Sequence, residues 1–447
     1  MIFLLQIIYF ILLLVAILRC LYFWQLKEYR LDRFHQFLAT SQARQYWLPV
    51  RWFLRPKLTL KILVLIYLSL YFSQILLQLK PFWLWLIIAY LIMPLTATIA
   101  VLLLKPITDL LSDLVVFAAK IKLKFSPRSL IVIGITGSFG KTSTKEILAH
   151  VLSAKFSVCK TSGTNNTLIG VALAVLTKLH SSHDFFVVEM GAYKPGEIKA
   201  ICQLVKPKLA ILTGIGTQHL GLFGSQPKLI SAKSELLQSL VTGSHAFING
   251  ENQIARSLVP QFSHLKIKLY FRPKKPYSTN LLGDYQQVNL TAAVQVASKF
   301  KIPSKVIISR LTNIPAFKTM MVKKTGLKHS IVIDNTYNAN FDGFLAAINF
   351  IKTQNFSQNI LITSGIIELG SRTAALHQQL AQAAGPVFTK IYLTKADIAK
   401  FFPGSIYEPD PKKILKDLIP ILNSKTLVLL ESRLPKKFIA SLCPNQS

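Results

Sequence analysis

Gly137-Ser138-Phe139-Gly140-Lys141-Thr142-Ser143 places a lysine and two hydroxyls directly behind a glycine turn. An apolar, β-branched run, Leu130 to Ile133, precedes the turn, and a helix-forming segment, Lys145 to Leu152, follows it. That spacing predicts a phosphate cradle, because glycines let backbone N–H groups close around an anion while the next helix aims its positive end there. Gly137, Ser138, Gly140 and Ser143 would line the cradle, Lys141 would reach the β/γ-phosphates, and the Thr142 hydroxyl would sit on Mg²⁺. Ile135 stands where the common G-x-x-x-x-G-K-[ST] form has its first glycine, so this is the shorter T-G-S-x-G-K-T version. Glu189, at the tip of the apolar run Phe185 to Val188, is placed to complete a metal shell. His219 follows another apolar strand, and Lys233 lies on the helix after it.

The elements that must position these residues alternate. Candidate strands at 130–134, 185–189, 209–213 and 246–249 are separated by candidate helices near 141–153, 168–180, 195–205 and 227–241. A second block repeats the alternation, with strands near 329–334, 359–363, 390–394 and 426–430. The pattern predicts an α/β chain with mainly parallel sheets covered by helices on both faces. The expected organisation is a membrane region over 1–125, a central ATP-binding domain over 126–312 and a smaller Rossmann-like domain over 313–447. Pro273 to Thr279 reads as a surface loop of the central domain.

Three apolar stretches, about 1–24, 60–79 and 82–104, reach the ~20 residues that a bilayer core requires, so three spanning helices are expected. Residues 105–124 read as an amphipathic helix after them. Basic residues cluster in the 25–59 loop and again after residue 104, which predicts a multi-pass protein of the cell membrane with its catalytic domains in the cytoplasm. The net charge of +33 divides into +11 over residues 1–129 and +22 over the remainder. That balance favours polyanionic ligands such as nucleotides, and anionic membrane lipids as partners. No nucleic-acid motif accompanies it, so no nucleic-acid partner is expected. Four scattered cysteines, Cys20, Cys159, Cys202 and Cys443, form no C-x-x-C pair and suggest neither a disulfide framework nor a zinc site.

Further blocks follow the cradle in order: Glu189-Met190-Gly191 with Gly196-Glu197-Ile198, Ile215-Gly216 through His219-Leu220 with Phe223-Gly224-Ser225, Ala232-Lys233-Ser234-Glu235, Asp334 to Asn340, and Glu368-Leu369-Gly370. Together, over about residues 130–435, they resemble the Mur ligases, nearest the UDP-N-acetylmuramoyl-tripeptide–D-alanyl-D-alanine ligase type. The resemblance implies an ATP-dependent ligase of peptidoglycan precursor synthesis. A muramoyl-peptide carboxylate would become an acyl phosphate, and an amine such as D-Ala-D-Ala would displace phosphate. It implies ATP and two Mg²⁺ ions, with Thr142, Glu189, His219 and Lys233 as metal ligands and Lys141, His219 and Lys233 as catalytic residues. Lys233 matches a lysine that is carbamylated in the family. Asn249, Asn289, Asp334 and Tyr337 would hold the nucleotide, and Asn166, Thr167, Asn338 and Asn340 the substrate. The family's His-Asn ahead of the nucleotide asparagine is here Tyr285-Gln286, its second acid is Asn335, and its proline after Asn-Ala-Asn is Phe341. A muropeptide on UDP or on a lipid carrier is the implied substrate. The alternatives are another membrane-bound Mur-type ligase, of the poly-γ-glutamate synthase kind, and a nucleotide-binding scaffold with weak catalysis.

Overall fold

The computed structural model describes residues 2–38, 43–47, 54–77, 82–127, 129–163, 165–216, 223–317, 319–337, 340–366, 369 and 372–444. By its contacts the chain divides into residues 1–115 and 116–447.

The first unit is helical, with long helices at Ile2–Leu26, Leu60–Leu77 and the start of Phe82–Lys124. It has a core of its own, in which Ile17, Leu21 and Trp24 pack with Phe34, Tyr46, Ile62, Leu65, Met93 and Ala97. Trp24 stacks on Phe34 with ring centroids 3.7 Å apart. The structure corrects the expectation of three membrane-spanning helices. Among the described residues two helices, Ile7–Leu26 and Leu91–Lys124, are long and apolar enough to cross a bilayer. The apolar stretch Leu60–Ile75 is shorter than a span requires. Two such helices are weak grounds, since a core helix or a leading signal segment passes the same test, and they do not establish the multi-pass membrane protein expected from the sequence. The amphipathic stretch 105–124 is not a separate helix either. It continues the helix that starts at Phe82, which runs through Pro94 and Pro106 without ending; each proline removes one backbone bond, and the remaining ladder carries the helix past it.

The second unit contains two six-stranded sheets. The first joins β1 (Ile131–Thr136), β2 (Val158–Lys160), β3 (Phe185–Glu189), β4 (Leu209–Leu212), β5 (His245–Asn249) and β6 (Lys266–Tyr270) in the order β2-β3-β1-β4-β5-β6, all parallel. The second joins β7 (Val322–Thr325), β8 (Ile331–Asn335), β9 (Gln358–Thr363), β10 (Lys390–Leu393), β11 (Ile406–Tyr407) and β12 (Thr426–Glu431) in the order β11-β10-β9-β12-β8-β7. Only the β7–β8 pairing in it is antiparallel. Helices cover both faces of a parallel sheet, so its inner strands are largely buried, and β3 and β12 are buried along their whole length. The eight strands read from the sequence are the inner ones. The four that escaped it, β2, β6, β7 and β11, are the sheet edges. Their burial alternates or is absent, and Lys266-Ile267-Lys268-Leu269-Tyr270 has no continuous apolar run to detect.

The carboxyl ends of the inner strands bring polar residues together, where ligands bind in open α/β sheets. At the tip of β12, Glu431 is fully buried beside Asn335, which donates to its Oε2 at 2.7 Å, while Oε1 has no partner. Burial pushes this carboxyl up to about 8; the Asn335 amide and the Ser432 N–H oppose the shift and the Asp334 charge adds to it. Between an unfolded value of 4.5 and 8 the folded chain therefore holds a proton that the unfolded chain lacks, and stability falls as pH rises through that window. Glu431→Gln, which keeps an acceptor for Asn335, should match the wild type near pH 5 and exceed it at pH 8.5 in denaturant midpoint. Parallel midpoint–pH curves would rule out a buried proton on Glu431.

Candidate active site

The glycine turn closes on the first sheet's carboxyl edge. Ser138 N donates to Gly214 O at 2.7 Å. Gly137 has a φ of +150°, and a Cβ there would stand 2.2 Å from Thr213 Oγ1 and 2.8 Å from Gly214 O, which excludes any side chain. Gly140 caps the helix Lys141–Leu152 in the left-handed region, where glycine is at home. Lys141 Nζ folds back onto Ser138 O at 3.1 Å, and burial lowers its affinity for a proton against the pull of Glu189. The Ser138 hydroxyl is buried without a partner, an unsatisfied donor within the turn.

Glu189 ends β3 with its carboxylate almost wholly buried. Thr142 Oγ1 and Asn166 Nδ2 each donate to Oε1 at 3.0 Å, and Lys145 Nζ donates to Oε2 at 3.2 Å. Thr161 Oγ1 accepts from the Glu189 N–H at 3.1 Å. Lys145 also donates to Gly163 O and pairs with Glu146 at 3.4 Å. Its part was missed in the sequence, although its position one turn beyond Lys141 put it on the same helix face. The donor set suits Mg²⁺, a hard cation that takes one or two protein oxygens and completes its shell with water and phosphate. Among the described residues no three His, Cys, Asp or Glu side chains cluster as a metal cage.

Lys233 is buried on the helix Gln226–Gln238, its Nζ 3.5 Å from Ala192 O and 5.8 Å from the Phe223 ring centroid. Burial first, and then the charge of Lys141, push it down to about 7, with Glu197, Glu235 and Glu189 opposing. Glu235 does not pair with it directly; its carboxylate accepts from Gly196 N and, at 2.8 Å, from Lys199 N. His219 and Asn338 lie outside the described residues, as do Glu368 and Gly370.

A cleft of about 350 Å³ opens over the cradle. Gly140, Lys141, Thr142 and Ser143 line it together with Asn249, Asn252, Arg272 and Tyr285, and Asn289 lies against Gly140. Asn249 donates to Thr213 O at 2.7 Å, and Asn289 accepts from Thr144 and donates to Gln286, the residue in the family's asparagine place. Asn340, Asp342 and Gly343 close the cleft from the second sheet's side, and Asn340 caps its own helix by accepting from Gly343 N at 2.8 Å. Two expected nucleotide residues are not among those lining it. Asp334 is held by Lys324 at 2.7 Å and by Thr336, so its neighbour Asn335 faces the cleft instead. The Tyr337 hydroxyl lies against Gly163 of the loop that carries Asn166. Thr167 caps the helix Leu168–Lys178 by accepting from Gly170 N. Asn252, Arg272 and Asp342 were not anticipated; only the Asn252 helix cap had a local signal.

Residues 135–275, from the cradle through β6, match the Mur ligase middle domain. The chain contains a Mur ligase middle domain. It is similar to the UDP-N-acetylmuramoyl-tripeptide–D-alanyl-D-alanine ligase of Synechocystis, 29% identical over 56% of this chain and 58% of that protein. The ligase of the same name from Buchnera aphidicola subsp. Baizongia pistaciae is 29% identical over 67% of this chain and 71% of its own. The chain thus spans well under two thirds of the Synechocystis relative. In fold it resembles MurF from Acinetobacter baumannii, with a TM-score of 0.67 at 23% identity over 75% of this chain and 81% of that one. MurF from Thermotoga maritima, solved with ADP, superposes with a TM-score of 0.65 at 24% identity over 74% and 82%.

Gly137→Ala forces a methyl into Thr213 and Gly214. It should weaken ADP binding at least about tenfold, the loss expected when about 1–3 kcal/mol of backbone strain reshapes the cradle. Calorimetric titration of the variant measures it, and unchanged affinity would show that the turn does not hold phosphate.

Proposed function

We propose that this chain is an ATP-dependent ligase. It activates the terminal carboxylate of a UDP-linked muramoyl tripeptide as an acyl phosphate and joins it to D-Ala-D-Ala. The observation that carries the reading is the glycine cradle with Lys141 and the Thr142–Glu189 pair at one end of a nucleotide-sized cleft, within a Mur ligase middle domain. The names of the curated relatives supply the substrates.

In this reading the backbone N–H groups of the cradle and Lys141 hold the β- and γ-phosphates and offset the charge gathered during transfer. Asn249, Asn289 and Tyr285, which line the cleft, would meet the nucleoside. Thr142 and Glu189 would hold a Mg²⁺ ion, whose chemistry is to neutralise charge on the phosphate oxygens; His219 and Lys233 would hold a second. Lys145 and Asn166 keep the Glu189 carboxylate in one orientation. With its pKa pushed down to about 7, roughly half of Lys233 is a neutral amine near pH 7, the form that adds CO₂. Asn166, Thr167, Asn338 and Asn340 would meet the acceptor and the incoming amine.

The test is ADP release by the purified chain with ATP, Mg²⁺, a panel of UDP- and lipid-linked muropeptides and several D-amino-acid dipeptides. Release should require both acceptor and amine, and Lys141→Ala should lower it about 100-fold or more. Release independent of the muropeptide would favour a nucleotide-binding scaffold instead. Stripping bicarbonate should lower the rate and restoring it should return the rate, while Lys233→Ala should not respond to bicarbonate; a bicarbonate-insensitive wild type removes the carbamate.

A further inference from the structure

We infer that Lys145 sets the choice of divalent cation. By holding one oxygen of Glu189 it leaves the other as a single-oxygen ligand, which suits Mg²⁺ and penalises the larger Ca²⁺. The inference rests on the reading above that Thr142 and Glu189 hold a metal ion.

Thr142 and Lys145 stand three residues apart on the helix Lys141–Leu152, so their side chains leave it on one face. Each takes a different oxygen of the same carboxylate: Thr142 Oγ1 donates to Glu189 Oε1 at 3.0 Å, and Lys145 Nζ donates to Oε2 at 3.2 Å. Asn166 Nδ2 also donates to Oε1, at 3.0 Å, so turning the carboxylate over would disturb all three contacts. Asn166 is itself tied down, its backbone carbonyl accepting from Gly191 N at 2.8 Å. Lys145 is held as firmly. It is fully buried, and its Nζ meets Glu189 Oε2, the Gly163 carbonyl and, at 3.4 Å, Glu146 Oε1. Glu146 is engaged through its other oxygen by Lys160. Among the described residues Lys145 is the one ion-pair partner of Glu189.

Oε1 is the oxygen that Thr142 and Glu189 share, and a cation held by both would bind there. To reach Oε2 as well, the cation would have to stand beside Lys145 Nζ, whose charge repels it. Mg²⁺ loses little by this, because it keeps several waters and needs only one oxygen from a carboxylate. Ca²⁺ takes about six to eight oxygens and often both of a carboxylate. No cluster of three acidic, histidine or cysteine side chains stands among the described residues to make up the difference. Lys145 therefore withholds the second Glu189 oxygen, the nearest further ligand that Ca²⁺ could recruit.

The test is calorimetric titration of the full-length chain with ADP in either Mg²⁺ or Ca²⁺. Wild type should bind ADP at least about tenfold more tightly with Mg²⁺, the scale of effects that groups behind a metal ligand exert. Lys145→Met frees Oε2 and should raise affinity with Ca²⁺ relative to Mg²⁺ about tenfold. Lys145→Gln, which keeps a neutral donor for Oε2, should fall between the two, and it carries the comparison should the Met variant not fold. Melting with each ion alone gives a readout free of nucleotide: Ca²⁺ should raise the melting temperature of the variant more than Mg²⁺ does, and should do less for wild type. Affinities that change by the same factor with both ions assign Lys145 a purely structural role and overturn the inference. So does a wild type that binds ADP equally well with either ion. A wild type that binds no ADP with either ion overturns the nucleotide reading itself, and the ion-only melting then decides the role of Lys145.

Discussion

One buried carboxylate organises the site. Glu189 would be costly to bury alone, and three side chains from separate parts of the chain offset that cost: Thr142 and Lys145 from the P-loop helix and Asn166 from the loop after β2. Because Lys145 also holds the Gly163 carbonyl, the glycine turn's helix, the Glu189 carboxylate and the loop carrying Asn166 are coupled through one pair of oppositely charged groups. Each hydrogen bond removes a rotamer choice that a binding site would otherwise have to fix when ligand arrives.

Around that centre the polar groups are graded. Cations gather at the phosphate end: Lys141 in the cradle, Lys145 behind it and Lys233 against Phe223. The rest of the cleft is lined by amides, Tyr285 and Glu251, with Arg272 engaged by Asp284. Burial first, and then the Lys141 charge, drive Lys233 towards neutrality against three nearby carboxylates. The second sheet contributes chiefly amides and one carboxylate to the opposite wall, so the two halves of the cleft differ in charge as well as in origin.

Three residues that depart from the family pattern, Tyr285, Gln286 and Asn335, lie in or beside the cleft. Asn335 donates to the buried Glu431, Gln286 orients Asn289, and Tyr285 fills the edge of the cleft. Asn335 and the Gln286 Oε1 thus find polar partners, whereas the buried Gln286 Nε2 has none among the described residues. The N-terminal helices carry a separate aromatic core, and their apolar length alone did not establish a membrane role.

The eight inner strands and the glycine cradle were legible along the chain, because a strand buried on both faces must be continuously apolar and a phosphate turn must have glycine where a Cβ would collide. Edge strands such as Lys266–Tyr270 carry no such signature, since one rim meets water. The residue types needed for chemistry, Lys141, Thr142, Glu189 and Lys233, could also be named from local context. Only the tertiary structure decided which of them share a charge. The Glu189 partners lie 47, 44 and 23 residues away, and Asp342 meets Gly216 across two sheets. Contacts at that separation arise from sheet order and helix packing, which no spacing within the sequence encodes.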